Sequence, residues 1–240
     1  MHKIIAITLL SLIIPISGLQ LDFNQLPKYN KENIHLTTEN TVGLREVVTD
    51  ESVSNVIKNF NSLIDEHKHI NEFYLVLDTP GGSVVAGNKL IDYLEFIKST
   101  DKTVHCISQT SISMGFVILQ LCPGIRYATS SAVLMQHQMS TMLAGNILNI
   151  AKDYEFSKRL YEKMLIKQSE RIKMPTKDFF EKTRDDWWLD GEDAIKYNIA
   201  DKLVNLGCSQ ELIKKKITVK ERNLFGFTSK KVSACPIVNV

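Results

Sequence analysis

The sequence predicts an α/β fold built on a mainly parallel sheet, with one long projecting helix, and three observations carry that prediction. Phe73-Tyr74-Leu75-Val76-Leu77 is an unbroken apolar run, as expected of a parallel strand buried on both faces. Further short strand-like runs follow it, separated by segments with helical spacing, and repeated strand–helix–strand units favour parallel strands joined by right-handed crossovers. From residue 145 to 171, Ile147, Ile150, Tyr154, Tyr161 and Leu165 form a stripe at helical period, which predicts a long amphipathic helix.

The chain opens with a segment of a different kind. Lys3 precedes the apolar run Ile4 to Ile14, then Pro15 and the small pair Ser17-Gly18. A basic start, an apolar stretch too short to span a bilayer comfortably and small residues at its end describe a secretory signal peptide over 1–18, with an uncleaved membrane anchor as the alternative. Cleavage would make the protein secreted, periplasmic or resident in the secretory-pathway lumen. Residues 19–39 read as an N-terminal extension, 40–205 as the folded domain and 206–240 as a basic C-terminal tail, loosely held from Lys214 onward.

Within the domain, Leu44-Arg45-Glu46-Val47-Val48 is a strand candidate, and 51–60 reads as a helix whose continuation places Ile57, Phe60, Leu63 and Ile64 against a sheet. The strand at 73–77 runs into Asp78-Thr79-Pro80-Gly81-Gly82-Ser83-Val84, and a helix follows with Leu90, Ile91, Leu94 and Ile97 on one side. A Pro-Gly-Gly loop between strand and helix lets backbone N–H groups approach a ligand, and it also serves as a plain tight turn.

Next, Thr103 to Ser108 reads as a strand and Phe116 to Leu121 as an apolar segment ended by Pro123-Gly124. Ser113 lies at the junction between them, near the start of a helix. There the unpaired N–H groups favour a developing negative charge, and there an N-cap serine is equally at home. Residues 125–129 and 132–135 are two short strand candidates, the second running into Gln136-His137-Gln138. His137, 24 residues after Ser113, has the chemistry of a general base as well as of a structural histidine. Pro175 ends the long helix, 176–183 is a short one, and Arg184-Asp185-Asp186-Trp187-Trp188 sets two acids beside two aromatics ahead of a helix at 191–197. An Asp beside Trp is either a rim contact or the carboxylate that orients a histidine.

Composition narrows the function. With 29 basic and 27 acidic residues there is no field to imply nucleic acid, and the Lys214-Lys215-Lys216 run reads as a solvated face. Four cysteines form no CxxC pair, so no zinc ribbon or redox motif is predicted; Cys106 and Cys122 read as small buried hydrophobes, and no bridge is assigned. His67 and His69 have no carboxylate or cysteine cluster nearby, and no metal site is assigned.

Taken in order, Asp78-Thr79-Pro80-Gly81-Gly82-Ser83-Val84, Ser111-Ile112-Ser113-Met114-Gly115, Leu134-Met135-Gln136-His137-Gln138 and Arg184-Asp185-Asp186-Trp187 through Asp201 resemble the ClpP family of serine peptidases over roughly residues 40–205. The resemblance implies the ClpP/crotonase-like fold of stacked ββα units and a triad in which Ser113 is the nucleophile, His137 the base and Asp186 the orienting acid, with Asp185 in reserve. It also implies oxyanion donors at the backbone N–H groups of Gly81 and Met114, a peptide or unfolded protein as substrate, no cofactor, a homo-oligomer and an AAA+ unfoldase as partner. An exported chain would be separated from a cytosolic unfoldase. Two departures stand out: Met139 to Gly145 holds less glycine than the family's segment, and Asp185 stands where the family carries arginine. The competing expectations are a ClpP-like assembly subunit without activity and a crotonase-like acyl-CoA enzyme, the latter having no need of a Ser-His-Asp set.

Overall fold

A computed structural model describes residues 29–223 and 226–238. Its centre is a parallel sheet whose strands, in spatial order, are β1 (Lys31–Leu36), β7 (Lys202–Cys208), β5 (Arg126–Gln136), β4 (Thr103–Ile112), β3 (Glu72–Thr79) and β2 (Thr41–Leu44). A short strand, β6 (Trp187–Leu189), pairs antiparallel with the end of β5. The helices are α1 (Asp50–Glu66), α2 (Val84–Lys98), α3 (Met114–Gln120), α4 (Ile147–Arg171), α5 (Thr176–Thr183), α6 (Gly191–Lys196) and α7 (Gln210–Lys214). A two-stranded hairpin, β8 (Lys216–Asn223) and β9 (Gly226–Ser233), follows α7.

Alternation along the strands divides the core in two. Leu75 and Leu77 of β3, with Val104 and Cys106 of β4, join one cluster with Phe60 of α1, Leu90 and Leu94 of α2 and the apolar face of α3. Val76 of β3 and Ile107 of β4 face the other way and meet Ile34 and Leu36 of β1, Leu212 of α7 and Cys235. Helices therefore cover one face of the sheet, and the C-terminal segment covers part of the other. β1, inside the 19–39 extension, pairs in parallel with β7 along its whole length.

Three expectations are corrected, and the cysteine pairing that the sequence left open is filled in. The first strand of the domain is Thr41–Leu44 rather than 44–48, because the parallel register with β3 runs from Thr41↔Tyr74 to Leu44↔Leu77, after which Val48 makes only an isolated bridge to Gly82. The two strand candidates at 125–135 are one strand, β5, whose register against β4 shifts between Ser108 and Thr110. The tail beyond Lys214 is a folded hairpin: Val219 and Val232 are buried, and the Arg45 guanidinium donates to the Ser233 carbonyl at 2.6 Å. The cysteines are paired, Cys106 with Cys122 and Cys208 with Cys235. The apolar segment at 1–18 lies outside the described residues, and no helix among the described residues is long and apolar enough to cross a membrane.

An ion cluster around the buried Arg126 ties the start of β5 to the start of β7. Asp201 accepts from the Arg126 backbone N–H (2.8 Å) and from Nε (3.0 Å) and Nη2 (2.5 Å) of its guanidinium, and Arg171 of α4 lies 4.0 Å away. Burial pushes the Asp201 carboxyl up, but the Arg126 hydrogen bonds and charge override it and hold the group below the usual carboxylate value.

Candidate active site

The expected site residues gather at the C-terminal ends of β3, β4 and β5, where open α/β sheets place their crevices. Ser113 occupies the single position between β4 and α3. Its φ of 55° and ψ of −116° lie outside the strand and helix regions, a conformation costly for a residue with a Cβ. What holds it is a fully buried helix after it and a hydrogen bond from its own N–H to the Met135 carbonyl at 2.8 Å. The capping reading of this serine does not hold, since its side chain makes no cap hydrogen bond. Its Oγ lies 2.8 Å from His137 Nε2 instead.

His137 follows β5 directly, so the strand that pairs with β4 also aims the imidazole at the end of β4. On the far side, His137 Nδ1 is 3.8 Å from Asp186 Oδ1. The β5–β6 ladder accounts for that approach: Leu134 pairs with Leu189, Met135 with Trp188 and Gln136 with Trp187. One step further along the same antiparallel register, His137 stands opposite Asp186. Gln138 continues the connection by donating to the Arg184 carbonyl at 3.0 Å. Asp185 is brought elsewhere; its carboxylate is 87% exposed and lies 3.8 Å from Arg184 Nε.

Gly81 closes the other side. Its φ is 86°, and a Cβ there would sit 2.4 Å from the Ile112 carbonyl and 2.8 Å from the Met114 nitrogen, so only glycine permits this loop to lie against the Ser113 turn. The Gly81 N–H donates to the Thr79 hydroxyl at 3.1 Å, whose own O–H reaches the Glu46 carbonyl at 2.6 Å. Met114 opens α3, where the first N–H groups have no partner within the helix. At Gly115 a Cβ would meet the Thr79 methyl at 2.6 Å, so the first turn of α3 can approach β3 only without a side chain there.

Beside Ser113 lies a small pocket of about 150 Å³, lined by Val84, Met114, Val117, Met164 and Tyr161 and by Gln136 with Gln168. Gln136 Nε2 donates to Gln168 Oε1 (2.9 Å), and Gln168 Nε2 donates to the Met164 carbonyl (3.2 Å), so these two amides of the wall are paired with each other, while Ser113 and His137 also face the pocket. Of these residues, Gln168, Met164 and Tyr161 of α4 and Thr79 of β3 were not singled out as site residues from the sequence. Tyr161 is visible there only as one position in an apolar stripe. A larger cavity, about 490 Å³, lies between β2, α1 and the C-terminal hairpin, and none of Gly81, Ser113, Met114, His137 and Asp186 lines it.

Among the described residues no group of histidine, cysteine, aspartate and glutamate side chains could hold a metal ion. A serine hydroxyl within hydrogen-bond reach of an imidazole, a carboxylate beyond it and a helix start whose first N–H groups have no intrahelical partner form an arrangement suited to acyl transfer. A family model described as Clp protease matches residues 28–206, a span that takes in the whole parallel sheet as far as Leu206 and each of Gly81, Ser113, Met114, His137 and Asp186. The chain belongs to the Clp protease family.

Proposed function

We propose that the protein is a serine endopeptidase of the ClpP type, hydrolysing peptide bonds in short peptides or unfolded chains through Ser113, His137 and Asp186. The observation that carries the reading is the 2.8 Å contact between Ser113 Oγ and His137 Nε2, made by a serine whose backbone is in a strained turn and whose side chain does no capping. In this reading His137 takes the Ser113 proton as Oγ attacks the substrate carbonyl. A tetrahedral oxyanion forms, and the Met114 and Gly81 N–H groups stabilise it, each donor being worth about 3–4 kcal/mol in comparable sites. His137 then returns the proton to the leaving amine, the acyl-enzyme is hydrolysed by water activated in the same way, and Asp186 holds the imidazole tautomer throughout. The Gly81 N–H leaves the Thr79 hydroxyl, or shares itself with it, when the oxyanion forms.

The protein is further proposed to work as a homo-oligomer in an oxidising compartment. Two disulfides take up all four cysteines, a pattern suited to exported proteins, which agrees with the signal-like segment at 1–18. Ile147, Leu148, Tyr154 and Phe156 of α4 are exposed, an apolar surface of the kind that a second copy covers. The test of the activity is hydrolysis of a fluorogenic peptide series and of a reduced, unfolded protein by the purified oxidised chain. Cleavage lost in Ser113→Ala supports the reading; cleavage undiminished in that variant overturns it.

A further inference from the structure

We infer that Trp187 is a positioning residue for Asp186, a role that rests on the peptidase reading above. Asp186 needs such a residue. Its carboxylate is 56% exposed and stands 3.8 Å from the imidazole, so little around the carboxylate itself fixes it. The next residue along the chain is the opposite in character.

The Trp187 side chain is partly buried, and its indole packs against three rings. Tyr197 lies edge-on with centroids 5.2 Å apart, Phe179 edge-on at 6.2 Å and Phe116 tilted at 6.4 Å. Phe179 and Phe116 are fully buried, and the Lys182 ammonium sits 5.1 Å from the indole centroid and 4.6 Å from that of Tyr197, adding cation–π contacts. Phe116 belongs to α3, one turn beyond Ser113. Trp187 therefore links the helix that carries the nucleophile to the strand end that carries the acid. Its backbone pairs with Gln136, immediately before His137, so the ring and the ladder together set where Asp186 leaves the strand. Trp188, next in sequence, is 55% exposed and anchors nothing comparable.

The test uses Trp187→Ala, Trp187→Phe and Trp188→Ala in the oxidised full chain, each made with Asp186 intact and with Asp186→Asn, and reads kcat and KM on a fluorogenic peptide. Expected are a kcat lowered about 10–100-fold by Trp187→Ala with KM within about twofold, most of it restored by Trp187→Phe, and no comparable loss from Trp188→Ala. In the Asp186→Asn background, Trp187→Ala should cost less than about twofold more, because the group it positions is gone. An equal loss in both backgrounds would mean a general structural role and overturn the inference. Absence of Ser113-dependent hydrolysis in the wild type would sink the peptidase reading instead. Crystal structures of the Trp187→Ala and Trp187→Phe proteins then decide the positioning separately: Asp186 displaced from His137 in the first and retained in the second supports it, and Asp186 unmoved in the first refutes it.

Discussion

Ser113 and Asp186 flank the same imidazole, yet the chain holds them by different means. Ser113 sits at the vertex of a buried angle: β4 leads up to it, α3 leads away, and the Cys106–Cys122 disulfide ties the two arms together further down. Gly81 abuts the vertex too closely for any side chain, and the hydroxyl is at hydrogen-bond distance from its partner. Asp186 rides on the end of a three-residue strand, half-exposed and beyond hydrogen-bond distance. In the proposed triad the serine side is closely packed, whereas the acid side, which we infer is positioned by Trp187, has room to tighten on binding, as catalytic hydrogen bonds of apo enzymes often do.

Four tests can break or sharpen that contrast. The largest effect is expected at the acid: Asp186→Asn should lower kcat roughly 10³-fold or more while Asp185→Asn stays within about twofold, measured on one peptide substrate. Equal effects of the two would move the acid to Asp185. Next, Gly81→Ala should cost about 10²-fold in kcat/KM and about 1–3 kcal/mol of stability in denaturant melts, since it places a methyl where the Ile112 carbonyl and the Met114 nitrogen already stand.

Smaller effects separate the disulfides. The Cys106–Cys122 pair closes a sequence separation of 16 and Cys208–Cys235 one of 27. Replacing either pair by alanine should cost about 3 kcal/mol in a thermal melt. Only Cys106→Ala with Cys122→Ala should also lower kcat, about 10-fold, because only that bridge spans the nucleophile turn. Equal kcat for the two double variants would show the vertex to be rigid without its staple. The least effect on catalysis is expected far from both halves. Asp201→Asn leaves Arg126, 2% exposed, without its carboxylate, and should lower stability by about 2–3 kcal/mol with kcat nearly unchanged. The Asp201 carboxyl lies below its ordinary value in the folded state, so its contribution is present above about pH 4 and is lost as pH falls through the folded value; the wild type should therefore lose more stability than Asp201→Asn on acidification, as melts at falling pH would register.

The same contrast governs what was legible beforehand. Ser113 and His137 follow directly on strands with strong apolar patterns, so local pattern located both, and the resemblance of four ordered motifs then assigned their roles. Nothing local marks Asp186 over Asp185. The antiparallel register of β6 on β5 sets Asp186 opposite His137, a pairing that three residues of sequence do not announce; only the resemblance pointed to it. Four cysteines allow three pairings, and distance along the chain does not choose among them. The hairpin was hidden by its lysines: Val219 and Val232 alternate with charged residues, and without a visible partner that alternation reads as a solvated tail. The strand at 41–44 was displaced toward Val47-Val48 because its end is set by the parallel partner β3 and not by its own composition.

The most direct test of the account is labelling with a fluorophosphonate, which reacts with a serine only when a base has activated it. Oxidised wild-type protein should carry the adduct on the peptide containing Ser113, identified by mass spectrometry. Asp186→Asn should label at the same residue more slowly, and Ser113→Ala and His137→Ala should not label. Folded wild-type protein without an adduct at Ser113, or an equal adduct in Ser113→Ala, would contradict it.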